Sequence, residues 1–420
     1  MEETLNDPIM TEQPAAPGAG RPITVIAPRE AGREPGSRFE EVLESALDGR
    51  GWRRVEKEEE LQAFLTKRDT QGAGEPEGEP LLFALSLGET GINLEYIRML
   101  RFFREHTRAL EGCVGGVLVD GRSDLYTKSV ARELVFTANR AGCAFVGRPL
   151  VEGTKTLSNF SIVARNMDTD LMSAYKKSAA ILTDEILDFR RPVSERPSLL
   201  VLHASSHPNS NTFALWEELK RFLPDFEITE IGLRNGTVSD CSGCPYKMCL
   251  HFGENESCFY GGVMVEDVYP AVKRADAVLM LCPNYNDALS ANLTAFINRL
   301  TALFRIIRFY DKALFAIVVS GYSGSDIVAE QLIAALNMNK TFYLPARFAL
   351  METANAPGAA MRLPGIHERL RAFAAHMRRT LTVRDLCSDA GLKPRSQTAQ
   401  KSAGPPDARK ETDRCARKIL

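Results

Sequence analysis

The stretch from Ala277 to Leu303, AVLMLCPNYNDALSANLTAFINRLTAL, constrains the fold more than any other part of the chain. It opens with Ala277-Val278-Leu279-Met280-Leu281, an apolar run of strand length with no polar face, as a central parallel strand requires. Pro283 ends the ladder, because it has no N–H to donate and a fixed φ. A polar loop follows, and Ser290 stands as an N-cap. Leu293, Phe296, Ile297, Leu300 and Phe304 then recur at helical spacing and form one buried stripe. The unit is strand, loop, helix, with the loop at the carboxyl end of a buried strand, where open α/β sheets bind ligands.

The rest of the chain repeats this pattern. Before it, strands are expected at Ile23–Ile26, Trp52–Val55, Leu81–Leu87, Val114–Val119 and Cys143–Val146, with helices between them and a long amphipathic helix from Asp168 to Phe189. The linker RPVSERP, residues 191–197, precedes a restart. Further strands are expected at Leu199–Leu202, Glu227–Ile231, Leu314–Val319 and Thr341–Leu344, and helices at Asn211–Phe222, Glu266–Arg274, Asp326–Leu336 and His367–Thr380. The Pro/Gly-rich first 20 residues, the loop from Thr70 to Pro80 and the polar tail from Val383 read as segments without a fold.

The two halves read as a tandem duplication. Arg21-Pro22 matches Arg196-Pro197, Val114–Gly121 matches Phe315–Gly321, and Ala131–Leu134 matches Ala329–Leu332. Each half carries five strands, which predicts two tandem flavodoxin-like α/β domains with parallel sheets of order 2-1-3-4-5. The expected boundaries are 21–190 and 198–382, with a cysteine-rich insertion at 240–262 in the second.

Composition narrows the function classes. A net charge of −2 argues against a nucleic-acid or acidic-membrane partner, and no apolar run is long enough to span a bilayer. The start, MEETLNDPIM, is the opposite of a secretory n-region, so a cytoplasmic protein is expected. Four of nine cysteines fall in DCSGCPYKMCLHFGENESC, a bunching that favours metal or redox chemistry in a reducing compartment.

Three loops of the second half carry ligand-binding residue types. Ser205, Ser206, Ser210 and Thr212 supply hydroxyls at a helix start, with His207, Asn209 and Asn211 among them, a set suited to a phosphate monoester. Pro283, Asn284, Tyr285 and Asn286 offer amides and an aromatic ring to a flat heterocycle. Ser320, Gly321, Tyr322, Ser323 and Gly324 let a backbone approach a ligand closely. Each loop alone reads equally as a turn; together, at the ends of adjacent strands, they make one site. The loop lacks P-loop spacing, and no strand is followed by Gly-x-Gly-x-x-Gly.

On HASSHPNSNT, CPNYNDALSANLTAFINRL and SGYSGSD, the second half resembles the NADPH-dependent FMN reductase family of flavodoxin-like proteins, including its iron–sulfur flavoprotein branch. The resemblance covers roughly Pro197 to Thr382, with the first half a distant copy. It implies FMN at the three loops, NAD(P)H as co-substrate docking over the flavin, and an oxidoreductase passing electrons to a small-molecule or protein acceptor. It also places Cys241, Cys244, Cys249 and Cys258 where a [4Fe–4S] cluster would be ligated. The residues themselves admit a cluster, a structural zinc, a Cys241/Cys244 redox pair, or reduced cysteines in a loop capping the flavin. His207 stands where the family usually has Arg. The rival reading is a non-enzymatic flavin or iron–sulfur electron carrier or redox sensor.

The first half lacks these features. Its loop Ala27–Pro35 has no hydroxyl cluster and carries Glu30 and Glu34, and Ser86–Thr90 has neither the Pro nor the aromatic. The family commonly dimerises, so the first domain is expected to take the partner's place in an intramolecular pseudo-dimer binding one FMN. A homodimer is the alternative assembly.

Overall fold

The computed structural model describes residues 11–13, 21–30, 36–70, 78–205 and 210–382. The expectations for the chain's two ends and for Thr70–Pro80 fall mostly outside these residues, as do Ser206, His207 and Asn209. One correction falls inside. Thr11–Gln13, expected to lack structure, forms β1, a short antiparallel edge strand on β3.

The first unit runs β2 (Ile23–Ile26), α1 (Ser37–Leu47), β3 (Trp52–Val55), α2 (Glu58–Thr70), β4 (Glu79–Leu87), α3 (Leu94–Glu105), β5 (Cys113–Gly121), α4 (Thr127–Arg140), β6 (Ala144–Gly153), α5 (Ser161–Met167) and α6 (Leu171–Leu187). Its sheet order is β1-β3-β2-β4-β5-β6, parallel apart from β1. All nine residues of β5 are buried, as a strand covered on both faces must be. The long helix begins at Leu171 rather than Asp168, because Asp170 caps it by accepting from Ser173 N at 2.9 Å.

The second unit runs β7 (Ser198–His203), α7 (Asn211–Lys220), β8 (Glu227–Gly232), α8 (Tyr246–Glu254), α9 (Tyr269–Arg274), β9 (Ala277–Pro283), α10 (Ala291–Phe304), β10 (Ala313–Ser320), α11 (Ser325–Leu332), β11 (Ala349–Thr353) and α12 (Ile366–Leu381). Its order is β11-β10-β9-β7-β8, all parallel. Without the edge strand β1, both sheets therefore have the 2-1-3-4-5 order of two tandem flavodoxin-like domains. The last strand departs from expectation. Tyr343 and Leu344 make only isolated bridges, to Ala313 and Phe145, and the strand proper is Ala349–Thr353.

The two units meet along α4, α11 and the segments that follow them. Phe145 and Leu344 exchange backbone hydrogen bonds at 2.9 and 3.0 Å. Arg132 of α4 pairs with Glu330 of α11 at 2.9 Å, 198 residues away. Asn139, at the end of α4, donates to Cys143 O in its own unit and to Pro345 O in the other, at 3.0 and 2.7 Å. Asn337 donates to Phe342 O in its own unit and to Val146 O in the other, at 2.8 and 2.9 Å. One apolar cluster runs through this junction, from Phe83, Phe103 and Phe145 to Leu336, Phe342 and Phe296. Burying both amides is tolerable because their donors are paired.

Candidate functional site

The carboxyl ends of β7, β9, β10 and β11 lie side by side and release four loops on one edge of the second sheet. The first leaves β7 after His203 and enters α7. Ser210 is the N-cap, accepting from Phe213 N at 3.5 Å, and its hydroxyl lies 3.0 Å from that of the buried Thr212. Asn211 is committed elsewhere. Its amide donates to Ala354 O and Ala356 O at 3.1 and 3.0 Å and accepts from Ala360 N at 3.1 Å, so it pins the loop after β11. Burial lowers the pKa of the His203 imidazole, with Glu230 at 3.8 Å opposing the shift.

The second loop is built around Asn284. Its backbone N–H donates to Val319 O at 2.9 Å. Its side-chain Nδ2 reaches Ser320 Oγ and Ser323 O, both at 3.0 Å, and Asp287 Oδ1 at 3.2 Å. Its Oδ1 is buried without a partner. Tyr285 and Ala288 exchange backbone bonds at 3.1 Å across Asn286 and Asp287, whose φ of 54° and 58° are those of a type I′ turn. Asn and Asp tolerate that region best after Gly, which is why this tetrapeptide turns where it does. Tyr285 is left 56% exposed. Ser290 occupies the expected N-cap position of α10, but its hydroxyl makes no cap bond and is buried without a partner.

The third loop locks onto the second. The buried Ser320 hydroxyl accepts from Ser325 at 2.8 Å. Gly324 has φ 83°, and a Cβ there would lie 2.1 Å from Asp287 Oδ1 and 2.9 Å from Asn284 Nδ2. Only glycine fits on both counts. Gln331 of α11 ties the second loop from behind, with Nε2 to Asp287 O at 2.8 Å and Oε1 accepting from Leu289 N at 3.0 Å.

The fourth loop was not anticipated from the sequence. Ala354 N donates to Ser320 O at 2.9 Å, and Asn355 Nδ2 donates to the Tyr322 hydroxyl at 2.7 Å. Glu352, buried at the end of β11, is held bidentately by Arg369 at 2.7 and 2.8 Å. The signal available was the polar Thr353–Asn355 after an apolar run, which the misplaced last strand concealed.

The cysteine segment does not form the ligand shell expected of it. Cys241 is exposed, Cys244, Cys249 and Cys258 are half-buried, and all four are free thiols. Among the described residues no three His, Cys, Asp or Glu side chains gather where one metal ion could sit. As placed, these residues give no support to a [4Fe–4S] cluster or a zinc site. The physical reason is packing: Cys249, on α8, and Cys258 rest against the core cluster beside Tyr269, whose phenol burial pushes up. Asp240 is drawn to Asn298 at 2.9 Å, and Gly261 O accepts from the buried Arg299 at 2.6 Å, so the segment lies along α10. Cys282 is buried at the end of β9, and burial raises its pKa far above the ordinary thiol range.

At the same edge of the first sheet, described side chains bond to one another and to the backbone. Arg38 of α1 grips Asp120 at 2.8 and 3.1 Å and also donates to Gly121 O and Lys155 O at 2.9 and 3.0 Å. Burial raises the Asp120 pKa, and Arg38 opposes the rise. Asn93, the N-cap of α3, accepts from Tyr96 N and donates to Pro28 O, both at 3.0 Å.

Residues 197–356 match the family model of the NADPH-dependent FMN reductases. That segment spans β7 to the loop after β11, and so contains all four loops. None of the curated proteins compared matches the chain. Among solved structures, an NADH:FMN oxidoreductase in its apo form is 17% identical with a TM-score of 0.31, covering 45% of this chain and 92% of its own. An NAD(P)H:quinone oxidoreductase from Methanothermobacter marburgensis is 14% identical with a TM-score of 0.32, covering 44% and 96%. An azoreductase from Bacillus anthracis str. Sterne is 15% identical with a TM-score of 0.33, covering 44% and 99%. No helix of the described residues is long and apolar enough to cross a membrane.

Proposed function

We propose that the second unit is an FMN-dependent NAD(P)H oxidoreductase and that the first unit is its built-in structural partner. The observation that carries this reading is the match of residues 197–356 to the NADPH-dependent FMN reductase model, over the one stretch that contributes all four loops of the edge. The donor set fits FMN. The start of α7, with the hydroxyls of Ser205, Ser210 and Thr212 at a helix N-terminus, suits the phosphate. The unpaired Asn284 Oδ1 is a buried acceptor waiting for a donor, as the imide N–H of a flavin ring would be. When bound, FMN supplies the redox chemistry, taking hydride from the nicotinamide and passing electrons on.

The chain's own contribution is binding and orientation. Asn284 holds the second and third loops together, and Gln331 fixes them on α11. Asn211 draws the fourth loop toward α7, which narrows the edge around one ligand. No side-chain acid or base is assigned, because hydride transfer needs none. The first unit is read as a degenerate copy that binds no flavin, its own edge occupied by the Arg38–Asp120 pair. The junction of the two units then stands in for a homodimer interface.

The test is steady-state oxidation of NADH and NADPH by purified holoprotein, with flavin content measured on the same sample. Bound flavin reduced by either nucleotide supports the reading. Bound flavin that neither reduces would leave an electron carrier or redox sensor.

A further inference from the structure

Tyr322 is 81% exposed, more than any other large hydrophobic side chain among the described residues. A ring left in water costs apolar hydration, and holding it in one orientation costs rotamer entropy. Yet it is held. Asn355, from the loop after β11, donates to its hydroxyl at 2.7 Å. Gly321 gives that amide its room, since a Cβ there would come within 3.2 Å of Asn355 Oδ1. The two loops are joined beside this contact by Ala354 N to Ser320 O at 2.9 Å. On the other side, Ser323 O is bound by Asn284 at 3.0 Å, in the loop that carries the exposed Tyr285. An aromatic ring is thus presented to solvent at the rim of the edge, latched at its polar end and free on its apolar body. That arrangement suits a planar ring stacked against it, where offset or edge-to-face contact is worth more than area alone.

Resting on the oxidoreductase reading above, we propose that Tyr322 is the specificity-determining platform for a planar aromatic electron acceptor, and that Asn355 is its positioning residue. Asn355 acts only through the Tyr322 hydroxyl. A compact acceptor such as ferricyanide gains nothing from the ring. The nicotinamide is also planar, so the experiment must separate donor from acceptor.

Equilibrium binding of 1,4-naphthoquinone to the oxidised, FMN-loaded full chain, followed by calorimetry, needs no turnover. Tyr322→Ala is expected to weaken that binding by about five- to tenfold, in the upper part of the roughly two- to twelvefold range of an aromatic pair. Asn355→Ala and Tyr322→Phe should each weaken it less, and the Tyr322→Phe/Asn355→Ala double variant no more than either single one, because both remove the same hydrogen bond. In turnover, kcat/KM for naphthoquinone should fall relative to that for ferricyanide. Tyr322→Ala binding naphthoquinone within about twofold of wild type, or losing affinity for NADPH instead, would overturn the assignment. Additive effects of the two latch changes would overturn the role of Asn355. Wild-type holoprotein that fails to pass electrons from NAD(P)H to ferricyanide would overturn the oxidoreductase reading itself, a result separable from unchanged naphthoquinone binding.

Discussion

Replacing Asn139 by alanine tests whether the two units fold as one body. Its side chain makes three hydrogen bonds inside the junction: Nδ2 to Cys143 O and Pro345 O, and Oδ1 from Phe348 N at 3.2 Å. Two of the three cross from the first unit to the second. A hydrogen bond contributes about 0.5–1.5 kcal/mol net, and a buried partner left unsatisfied costs about 1–3 kcal/mol. With three buried backbone groups abandoned, the loss should be on the order of 3 kcal/mol after partial relaxation. The chain has two tryptophans, Trp52 in β3 and Trp216 in α7, one in each unit. Urea unfolding read from each, in the background where the other is Phe, reports the units separately. The wild type should show coincident transitions, and Asn139→Ala should move both midpoints down together. Asn337→Ala should do the same, because Asn337 Nδ2 donates across the junction to Val146 O. A shift confined to the Trp52 signal would refute the reasoning, since the crossing bonds would then not couple the units.

Gly324→Ala should weaken FMN binding and cost about 1–3 kcal/mol of stability, since its Cβ would sit 2.1 Å from Asp287 Oδ1 at a positive φ; flavin fluorescence titration and thermal unfolding check both. His376, with its pKa lowered to about 4 chiefly by burial, is neutral in the folded state and has its ordinary value of 6.5 when unfolded. The unfolded chain therefore binds more protons between those values, and this contribution, about 3 kcal/mol, is present above pH ~6.5 and lost as pH falls toward ~4. His376→Gln should flatten the difference in unfolding free energy between pH 7 and pH 4.5, whereas an unchanged slope would remove His376 as its source. Glu185 works in the opposite sense. Burial raises its carboxyl to about 7, so its contribution is present below pH ~4.5 and lost as pH rises through ~7. Glu185→Gln should remove that loss in the same titration.

The fold was legible because parallel strands buried on both faces leave an unmistakable trace. β9 and β10 are runs of apolar residues, and the strand–loop–helix unit around Pro283 fell where it was expected. The last strand was misplaced for a physical reason. Thr341–Leu344 has β-forming residues, but the junction consumes Leu344 in its bridge to Phe145, and the sheet takes the less β-rich Ala349–Thr353. No local pattern reports a partner so distant in sequence. Three of the loops could be read from their residue types, whereas the role of Asn211 could not, because its partners are backbone carbonyls of the fourth loop. The cysteine spacing suggested a ligand shell, whereas Cys249 and Cys258 pack against the core beside Tyr269, a contact that spacing does not report.

Anaerobic titration of the purified full chain with NADPH, with FMN and protein quantified beforehand, tests the central claim most directly. One FMN per chain, bleached in full by the nucleotide, is the predicted result. Two flavins per chain would contradict the assignment of a first unit that binds no flavin, and a single flavin left oxidised by both NADPH and NADH would contradict the oxidoreductase.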